Sequence, residues 1–271
     1  MRVAVVLRDG LRSYVSFRHA PRFRQAKPEE AIGVSTKRIP PDCVPAFVIP
    51  DIVNEREEQA LLHMTEPWFS RLPFSEGHMD ALIHHYKEFY RSYAELAGAG
   101  AEHGCCPADP HAIAALRKCH GVASEYLPGI PLDDRVHFLR LSGNGFIRAH
   151  VDDSRNSSGI VAGLSLGTAR VMTLTHPEHP GQRVELMLAP RTLYVLIGTA
   201  RYNWAHSTDW EADDTEHVER ARGRPVMDGP PLVFDGSETT FRRGERTAVI
   251  FRGISPMELL RQRMAKKKGA S

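Results

Sequence analysis

The sequence predicts an α+β protein in which a barrel or jelly roll is supported by N-terminal helices. Three observations carry this. From Arg135 onward, short β-rich runs ("RVHFLRL", "GIVAGLSL", "ARVMTLT", "QRVELML", "TLYVLIG" and "RTAVIFR") follow one another between turn residues. Before Arg135 the signals are helical. At 271 residues, with 42% apolar and 25% charged residues, the chain is long enough to bury a sizeable core of ordinary globular composition. Six or more strands behind a helical region make a two-layer or closed sheet with helices on one side.

Taken in order, "IPPDCVPAFVIPD" is a proline-punctuated entry to the folded part. "NEREEQALLHM" is a helix, because Asn54 followed three residues later by Glu57 is a capping-box pattern. "MDALIHHYKEFYRSYAEL" is expected to be a second helix, with Leu82, Tyr86, Phe89, Tyr90 and Tyr93 near helical spacing. "DPHAIAALRKCH" is a third, with Asp109 as cap and Pro110 in the first turn. "AGAGAEHGCCPAD" between them reads as a loop. In "QRVELML", Val184, Leu186 and Leu188 alternate with Arg183, Glu185 and Met187, as in a strand with one face buried more deeply than the other. The stretch from Ser207 to about residue 240 is acidic and aperiodic and is expected to be an exposed loop.

Charge is unevenly spread. Residues 1–28 hold seven Lys/Arg and one acid, Asp9, which leaves 28 Lys/Arg against 32 Asp/Glu, a net of −4, for the rest. An Arg-rich, acid-poor start before an acidic body fits a mitochondrial presequence ending near residue 28. A body without positive excess is a poor electrostatic trap for nucleic acid, and the basic tail "RQRMAKKKGAS" reads as solvated. No apolar run reaches the roughly 18 residues of a membrane-spanning helix. The four cysteines (Cys43, Cys105, Cys106, Cys119) lack zinc-site spacing and are too few for a secreted disulfide scaffold, which favours a reducing compartment.

Four H-x-D/E pairs occur among 14 histidines: His78/Asp80, His150/Asp152, His176/Glu178 and His217/Glu219. The pattern alone does not choose among them. On the helix expected at residues 78–80, positions i and i+2 point about 200° apart, so that pair cannot face one ion. "THPEHPG" is a proline-flanked turn, and His217/Glu219 lie in the acidic stretch; neither has a rigid third ligand nearby. His150 and Asp152 end a strand-like run, where i and i+2 project to one side. His206 follows the strand "TLYVLIG" and can supply the third ligand. Two imidazoles and a carboxylate make the facial triad of non-haem Fe(II) oxygenases, although zinc can use the same set. On "RTAVIFR", Arg246 and Arg252 lie six residues apart, hence on one face. Two buried arginines call for anions to answer them, and a dicarboxylate co-substrate would supply one; the plain alternative is an exposed face with solvated arginines.

The order H-x-D, distal His, then R-x5-R resembles the AlkB family of Fe(II)/2-oxoglutarate dioxygenases, and in particular its mitochondrial branch. The similar segments are "HMDALIHHYKEFYRS", "VHFLRLSGNGFIRAHVDDS", "GIVAGLSLGTARVMTLTH", "LYVLIGTARYNWAHS" and "RRGERTAVIFRGI". The resemblance implies a double-stranded β-helix core, with Fe(II), 2-oxoglutarate and O2 as cofactor and co-substrates. It makes His150, Asp152 and His206 the iron ligands. Arg246 becomes the partner of the distal carboxylate of 2-oxoglutarate, Arg252 a neighbour of the metal-bound carboxylate and Asp152, and Tyr194 a hydroxyl donor to the co-substrate. The plain alternative for Tyr194 is a core aromatic. Where DNA-repair members carry Asn and Tyr before H-x-D, this chain has Leu139 and Leu141. That departure favours the mitochondrial branch and leaves 2-oxoglutarate with fewer polar anchors.

The implied organisation is a basic extension (1–45), one dioxygenase domain (46–255; helical support 46–130, β-helix core 131–255 with insert 207–240) and a basic tail (256–271). The implied reaction converts 2-oxoglutarate to succinate and CO2 while oxidising a substrate C–H, by hydroxylation or by loss of formaldehyde from an N-methyl group. No basic, stacking-rich lid precedes His150 of the kind that grips nucleic acid and flips a base. The expectation is therefore a protein or small-molecule substrate in the mitochondrial matrix, in a branch associated with fatty acid metabolism and programmed necrosis. A mitochondrial RNA demethylase is the second reading, and a non-catalytic module binding iron and 2-oxoglutarate the third.

Overall fold

The computed structural model describes residues 44–75, 82–96, 109–176, 178, 183–209, 232–233, 240–241 and 244–268. The presequence reading, His78/Asp80, most of the "AGAGAEHGCCPAD" loop, His217/Glu219 and most of the acidic insert lie outside them. The strands are β1 (Ala46–Ile49), β2 (Ile83–Ser92), β3 (Arg135–His150), β4 (Ile160–Gly167), β5 (Arg170–Thr175), β6 (Arg183–Leu188), β7 (Thr192–Ile197), β8 (Ala205–Thr208), β9 (Leu232–Val233), β10 (Thr240–Phe241) and β11 (Arg246–Arg252). The helices are α1 (Glu55–Phe69), α2 (Pro110–Glu125), α3 (Gly198–Tyr202) and α4 (Pro256–Lys268).

Antiparallel pairing runs β1-β7-β4-β11-β3-β8-β5-β6, with β2 on the other side of β3. Strand β6 lies against β1 and β7, so the sheet curls nearly closed into a jelly roll. The 16-residue β3 joins its two halves: residues 137–141 pair with β11, and Ile147 and His150 pair with β8. Leu139, Leu141, Tyr194, Leu196, Ala248 and Ile250 point inward with Met172, Leu174, Leu186 and Leu188. Their alternates Phe138, Leu193, Val195, Val249 and Phe251 point outward under the helices. Both faces of these strands are covered, which is why they read as continuous apolar runs.

Helix α1 starts where expected. The Asn54 side chain accepts from the Glu57 N–H (2.9 Å) and the Glu57 carboxylate accepts from the Asn54 N–H (2.8 Å). Asp109 caps α2 by accepting from the His111 N–H (2.8 Å), with Pro110 at its start. The two helices pack together and seal the outer face with Leu61 and Leu116, both 0% exposed. Each contributes roughly 1.5–3 kcal/mol of burial free energy.

Four expectations need correction. The run from Ile83 to Ser92 is not a helix but β2, hydrogen-bonded along β3. Its spacing fits 3.6 residues per turn only loosely, and its His, Tyr and Phe side chains suit a pleated surface. The long β3 offers them one: Phe89 stacks on Phe138 at 4.9 Å and meets Phe69 edge-on at 4.8 Å. The helical support region thus also contains β1 and β2. The insert does not begin at Ser207, because Ser207 and Thr208 belong to β8 and Asp209 is buried. Its carboxylate binds the Arg170 guanidinium (2.9 Å) and accepts the Val171 N–H (3.1 Å). Near the insert's other end, β9 and β10 pair as a short ladder. Finally, Asp152 does not end the strand with His150: β3 stops at His150 and Asp152 lies in the loop beyond it. Residues 256–268 of the basic tail form α4.

Candidate metal centre

Antiparallel pairing of β3 with β8 sets His150 directly opposite His206. Strand β3 ends at His150, and the chain continues through Val151 to bring Asp152 back against both rings. Asp152 Oδ1 lies 3.3 Å from His150 Nε2 and 3.9 Å from His206 Nε2, and one ligand atom from each residue fits within a 4.8 Å span. Nδ1 of His150 is 2.8 Å from the Arg148 carbonyl. A carbonyl only accepts, so Nδ1 carries the proton and the Nε2 lone pair faces the centre.

Electrostatics keep this cluster ready for a cation. Burial alone would raise the Asp152 pKa, yet His150, His206 and Arg252 together hold its carboxyl well below the usual range. His206 is pushed down to about 4, by burial first and then by the charge of His150, so its ring is neutral at physiological pH. Burial also opposes charging His150, but the Asp152 carboxylate and the Arg148 carbonyl, which would both accept from a protonated ring, outweigh it and raise its pKa in the metal-free cluster. Converging donors of this kind fit a divalent ion with open positions on its far side.

Inside the barrel, Arg246 is 2% exposed, and its Nε donates to Ser165 Oγ (2.9 Å). Its Nη2 is buried with no hydrogen-bond partner among the described residues. Burial lowers the pKa of this guanidinium, but a guanidinium keeps its proton in a protein. Tyr194 on β7 is 6% exposed, and burial, opposed by the nearby Arg246 and Arg252, raises its pKa, so the phenol is a donor. A buried cation with an unanswered N–H beside a phenol is a cradle for a carboxylate. Leu139 and Leu141 line the same interior and add no polar anchor.

Arg252, on the same face of β11, stands at the mouth. Its Nε is 3.8 Å from Asp152 Oδ2, and its Nη1 donates to His137 Nδ1 at 2.9 Å. Nε2 of His137 must then carry the proton, and it meets Glu88 at 2.8 Å. Tyr90 stacks on the same imidazole at 4.2 Å. A cavity of about 990 Å³ opens here, bordered by Tyr90, His137, Asp152 and Arg252.

The sequence-level candidates are thus brought to two neighbouring places: His150, Asp152, His206 and Arg252 at the mouth, Tyr194 and Arg246 within. Of the rival pairs, His176 and Glu178 lie in a turn where the Glu178 N–H donates back to the imidazole (3.2 Å). Sequence reading misses Glu88 and Tyr90, which the helical expectation for residues 83–92 does not aim at the site, and His137, a single imidazole within the strand run "RVHFLRL". It also misses Arg201, a buried arginine in α3 whose donors reach the loop after His150. Its position five residues before His206 is the only available signal.

No protein-family model matches the chain. It is 34% identical over 185 residues to mouse alpha-ketoglutarate-dependent dioxygenase alkB homolog 7, mitochondrial, a match covering 67% of this chain and 76% of that protein. The bovine protein of the same name is 35% identical over 161 residues, covering 59% of this chain and 66%, just under two thirds, of the bovine protein. Mouse tRNA (carboxymethyluridine(34)-5-O)-methyltransferase ALKBH8 is 35% identical over 116 residues, which is 42% of this chain and 16% of that one. Among solved structures, a Trichoplax adhaerens prolyl hydroxylase aligns with a TM-score of 0.47 at 11% identity, covering 79% of this chain and 84% of that chain. A Pseudomonas putida prolyl-4-hydroxylase aligns with a TM-score of 0.46 at 11% identity, covering 78% and 92%. Identity at a third of the positions across three quarters of the mouse protein is family-level likeness, and it falls on a chain that carries the triad and both arginines: it belongs to the AlkB family of alpha-ketoglutarate-dependent dioxygenases.

Proposed function

We propose that the protein is an Fe(II)- and 2-oxoglutarate-dependent dioxygenase of mitochondria that oxidises a protein or small-molecule substrate. One observation carries the reading: the His150, Asp152 and His206 ligand atoms converge within 4.8 Å of one another in a barrel whose buried Arg246 keeps an N–H unanswered among the described residues. In this reading His150, Asp152 and His206 hold the iron. Arg246 and Tyr194 bind the distal carboxylate of 2-oxoglutarate, and Arg252 faces the end nearer the metal. The iron supplies activation of O2 coupled to oxidative decarboxylation of 2-oxoglutarate. The chain's own part is to orient and exclude water. Arg246 fixes the depth of the co-substrate, the leucines around it keep the interior dry, and the mouth holds the target carbon near the metal.

The mitochondrial assignment is supported by the names of the mouse and bovine relatives and by the basic first 28 residues. A matrix location, with ties to fatty acid metabolism and programmed necrosis, remains part of this proposal. A protein or small molecule is favoured over RNA by the charge of the cavity. Asp133, Asp134, Asp152, Asp153 and Glu258 border it against three arginines, an unfavourable lining for a phosphodiester chain. RNA demethylation is the second reading, supported by the tRNA-modifying name of one relative.

The test is succinate formation from 2-oxoglutarate in air with added Fe(II), comparing wild type with Asp152→Ala. Succinate that depends on Asp152 is expected, at a rate lower by at least about a hundredfold in the variant. Equal succinate from both proteins, or failure of the wild type to bind either Fe(II) or 2-oxoglutarate, would sink the assignment. The same assay run with methylated RNA and with mitochondrial protein fractions separates the two substrate readings.

A further inference from the structure

Arg201 is one of the largest fully buried side chains of the protein, at 2% exposure. It sits in the five-residue helix α3, between β7 and the strand that carries His206. A buried guanidinium would ordinarily be matched by a carboxylate, since an uncompensated charge in the interior is costly. Here every hydrogen-bond partner among the described residues is a neutral oxygen. Nη1 donates to the Asp152 carbonyl (2.9 Å), and Nη2 to Ser157 Oγ (2.7 Å), the Ser157 carbonyl (3.2 Å) and the Asp153 carbonyl (3.4 Å). All four belong to the segment from Asp152 to Ser157. The next residue reinforces the join: the Tyr202 hydroxyl accepts the Gly159 N–H at 2.5 Å, and the Arg201 guanidinium lies 5.1 Å from the Tyr202 ring.

The loop held in this way has no regular structure of its own. Beyond His150 the chain leaves the sheet and rejoins it only at Ile160, so no strand ladder fixes Asp152. The ladder that sets His150 opposite His206 stops one residue short of the valine before the carboxylate. The Asp152 carboxylate faces His150, His206 and Arg252, and the contact that holds its backbone is the one Arg201 makes at its carbonyl. Burying an arginine for that task makes sense, because a planar fork with five donors can bind several carbonyls at once, and lysine cannot.

We infer that Arg201 is a positioning residue for the metal centre: its guanidinium ties the loop bearing Asp152 to the helical turn that leads into His206, and so sets the carboxylate ligand against the two imidazoles. It touches neither metal nor substrate and acts through the backbone of Asp152. The inference rests on reading the triad as a metal site.

The test uses the full chain and Co(II) alone, with binding followed by visible absorption and calorimetry, so that no turnover is needed. Arg201→Met is expected to weaken Co(II) binding at least about tenfold, the usual scale for removing a group that orients a ligand. Arg201→Lys, which keeps the charge but loses the fork, should fall between wild type and Met. Ser157→Ala removes one acceptor without stranding a buried charge and should weaken binding about two- to threefold with the fold intact. That variant keeps the inference testable if Arg201→Met fails to fold. Folded Arg201→Lys and Ser157→Ala proteins with wild-type Co(II) affinity would overturn it, even if their melting temperatures fell, since a merely structural arginine predicts that pattern. If wild type and Asp152→Ala bind Co(II) equally, the triad reading itself fails and takes this inference with it. Loss on Asp152→Ala with no change on Ser157→Ala or Arg201→Lys rejects the arginine's role alone.

Discussion

Arg246 and Arg252 lie on one face of one strand, six residues apart, and the barrel uses them in opposite ways. Arg246 is sealed among leucines at 2% exposure, with one N–H on Ser165 and another unanswered. Arg252 stands at the edge of a cavity of about 990 Å³, with its N–H groups on His137 and toward Asp152. The inner end of the barrel is thus apolar and leaves one guanidinium N–H without a partner among the described residues. The mouth is wetter and already internally paired. The difference teaches that residue type and strand face do not define a role; the number of unmet hydrogen bonds does.

The largest expected effect breaks the comparison at the inner end. Arg246→Met should weaken binding of 2-oxoglutarate to metal-loaded protein by roughly a hundredfold, about 3 kcal/mol, the scale for truncating one side of a buried charged pair. Arg252→Met should leave that affinity within about threefold, because the Arg252 side chain is about a quarter exposed and its N–H groups are already turned to His137 and Asp152, and lower succinate formation about tenfold instead. Calorimetric titration with 2-oxoglutarate beside a succinate assay reads both quantities. Equal losses of affinity in the two variants would show that the two ends are not separable.

A smaller lever reaches the inner end without touching a charge. Gly163 lies beneath the Tyr194 ring, where an added Cβ would come 2.4 Å from ring carbons and 2.5 Å from the hydroxyl oxygen. Gly163→Ala must therefore displace Tyr194. The cost is about 1–3 kcal/mol of stability and, if the hydroxyl serves the co-substrate, roughly tenfold in 2-oxoglutarate affinity. Co(II) affinity should not change, since the triad is built from other strands. An unchanged 2-oxoglutarate affinity beside a lowered melting temperature would return Tyr194 to the role of a core aromatic.

The same two ends differ in how far they could be read from the sequence. His150, His206 and the arginine pair were legible because each lies on a strand, where a period of two predicts direction; Asp152 was legible only as the neighbour of His150, since it lies in the loop beyond the end of β3. The helices α1 and α2 were legible through their caps. Illegible were the parts whose meaning depends on pairing across long separations. The strand β2 carries helix-like spacing, and only the exposed flank of β3 makes it a strand. Asp209 looks like the start of an acidic loop, and only the buried Arg170 makes it interior. Arg201 has no motif at all, because its partners are backbone carbonyls and one serine hydroxyl. Leu139 and Leu141 could be read as missing polar contacts, and the folded barrel makes them walls of the dry interior.

The smallest effect distinguishes the mouth by its response to acid. His137 is 4% exposed, and burial is the main cause that depresses its pKa from 6.5 to about 4. Its Nδ1 already accepts from Arg252, so protonation would set two cations face to face. Because the folded value lies below the unfolded one, the unfolded chain takes up the proton first as pH falls. The stabilisation is complete above about pH 6.5 and is lost progressively toward pH 4, on the order of 2 kcal/mol. His206, also held near 4, contributes in the same direction in metal-free protein. Melting temperatures measured from pH 7 to 4.5 should therefore fall more steeply for wild type than for His137→Gln. Adding a divalent metal should shift the His206 contribution and leave that of His137. Arg246 and Tyr194 titrate far above this range, so Arg246→Met should keep the wild-type slope. If His137→Gln has the wild-type slope instead, the acid response does not arise from the ring that links Glu88 to Arg252.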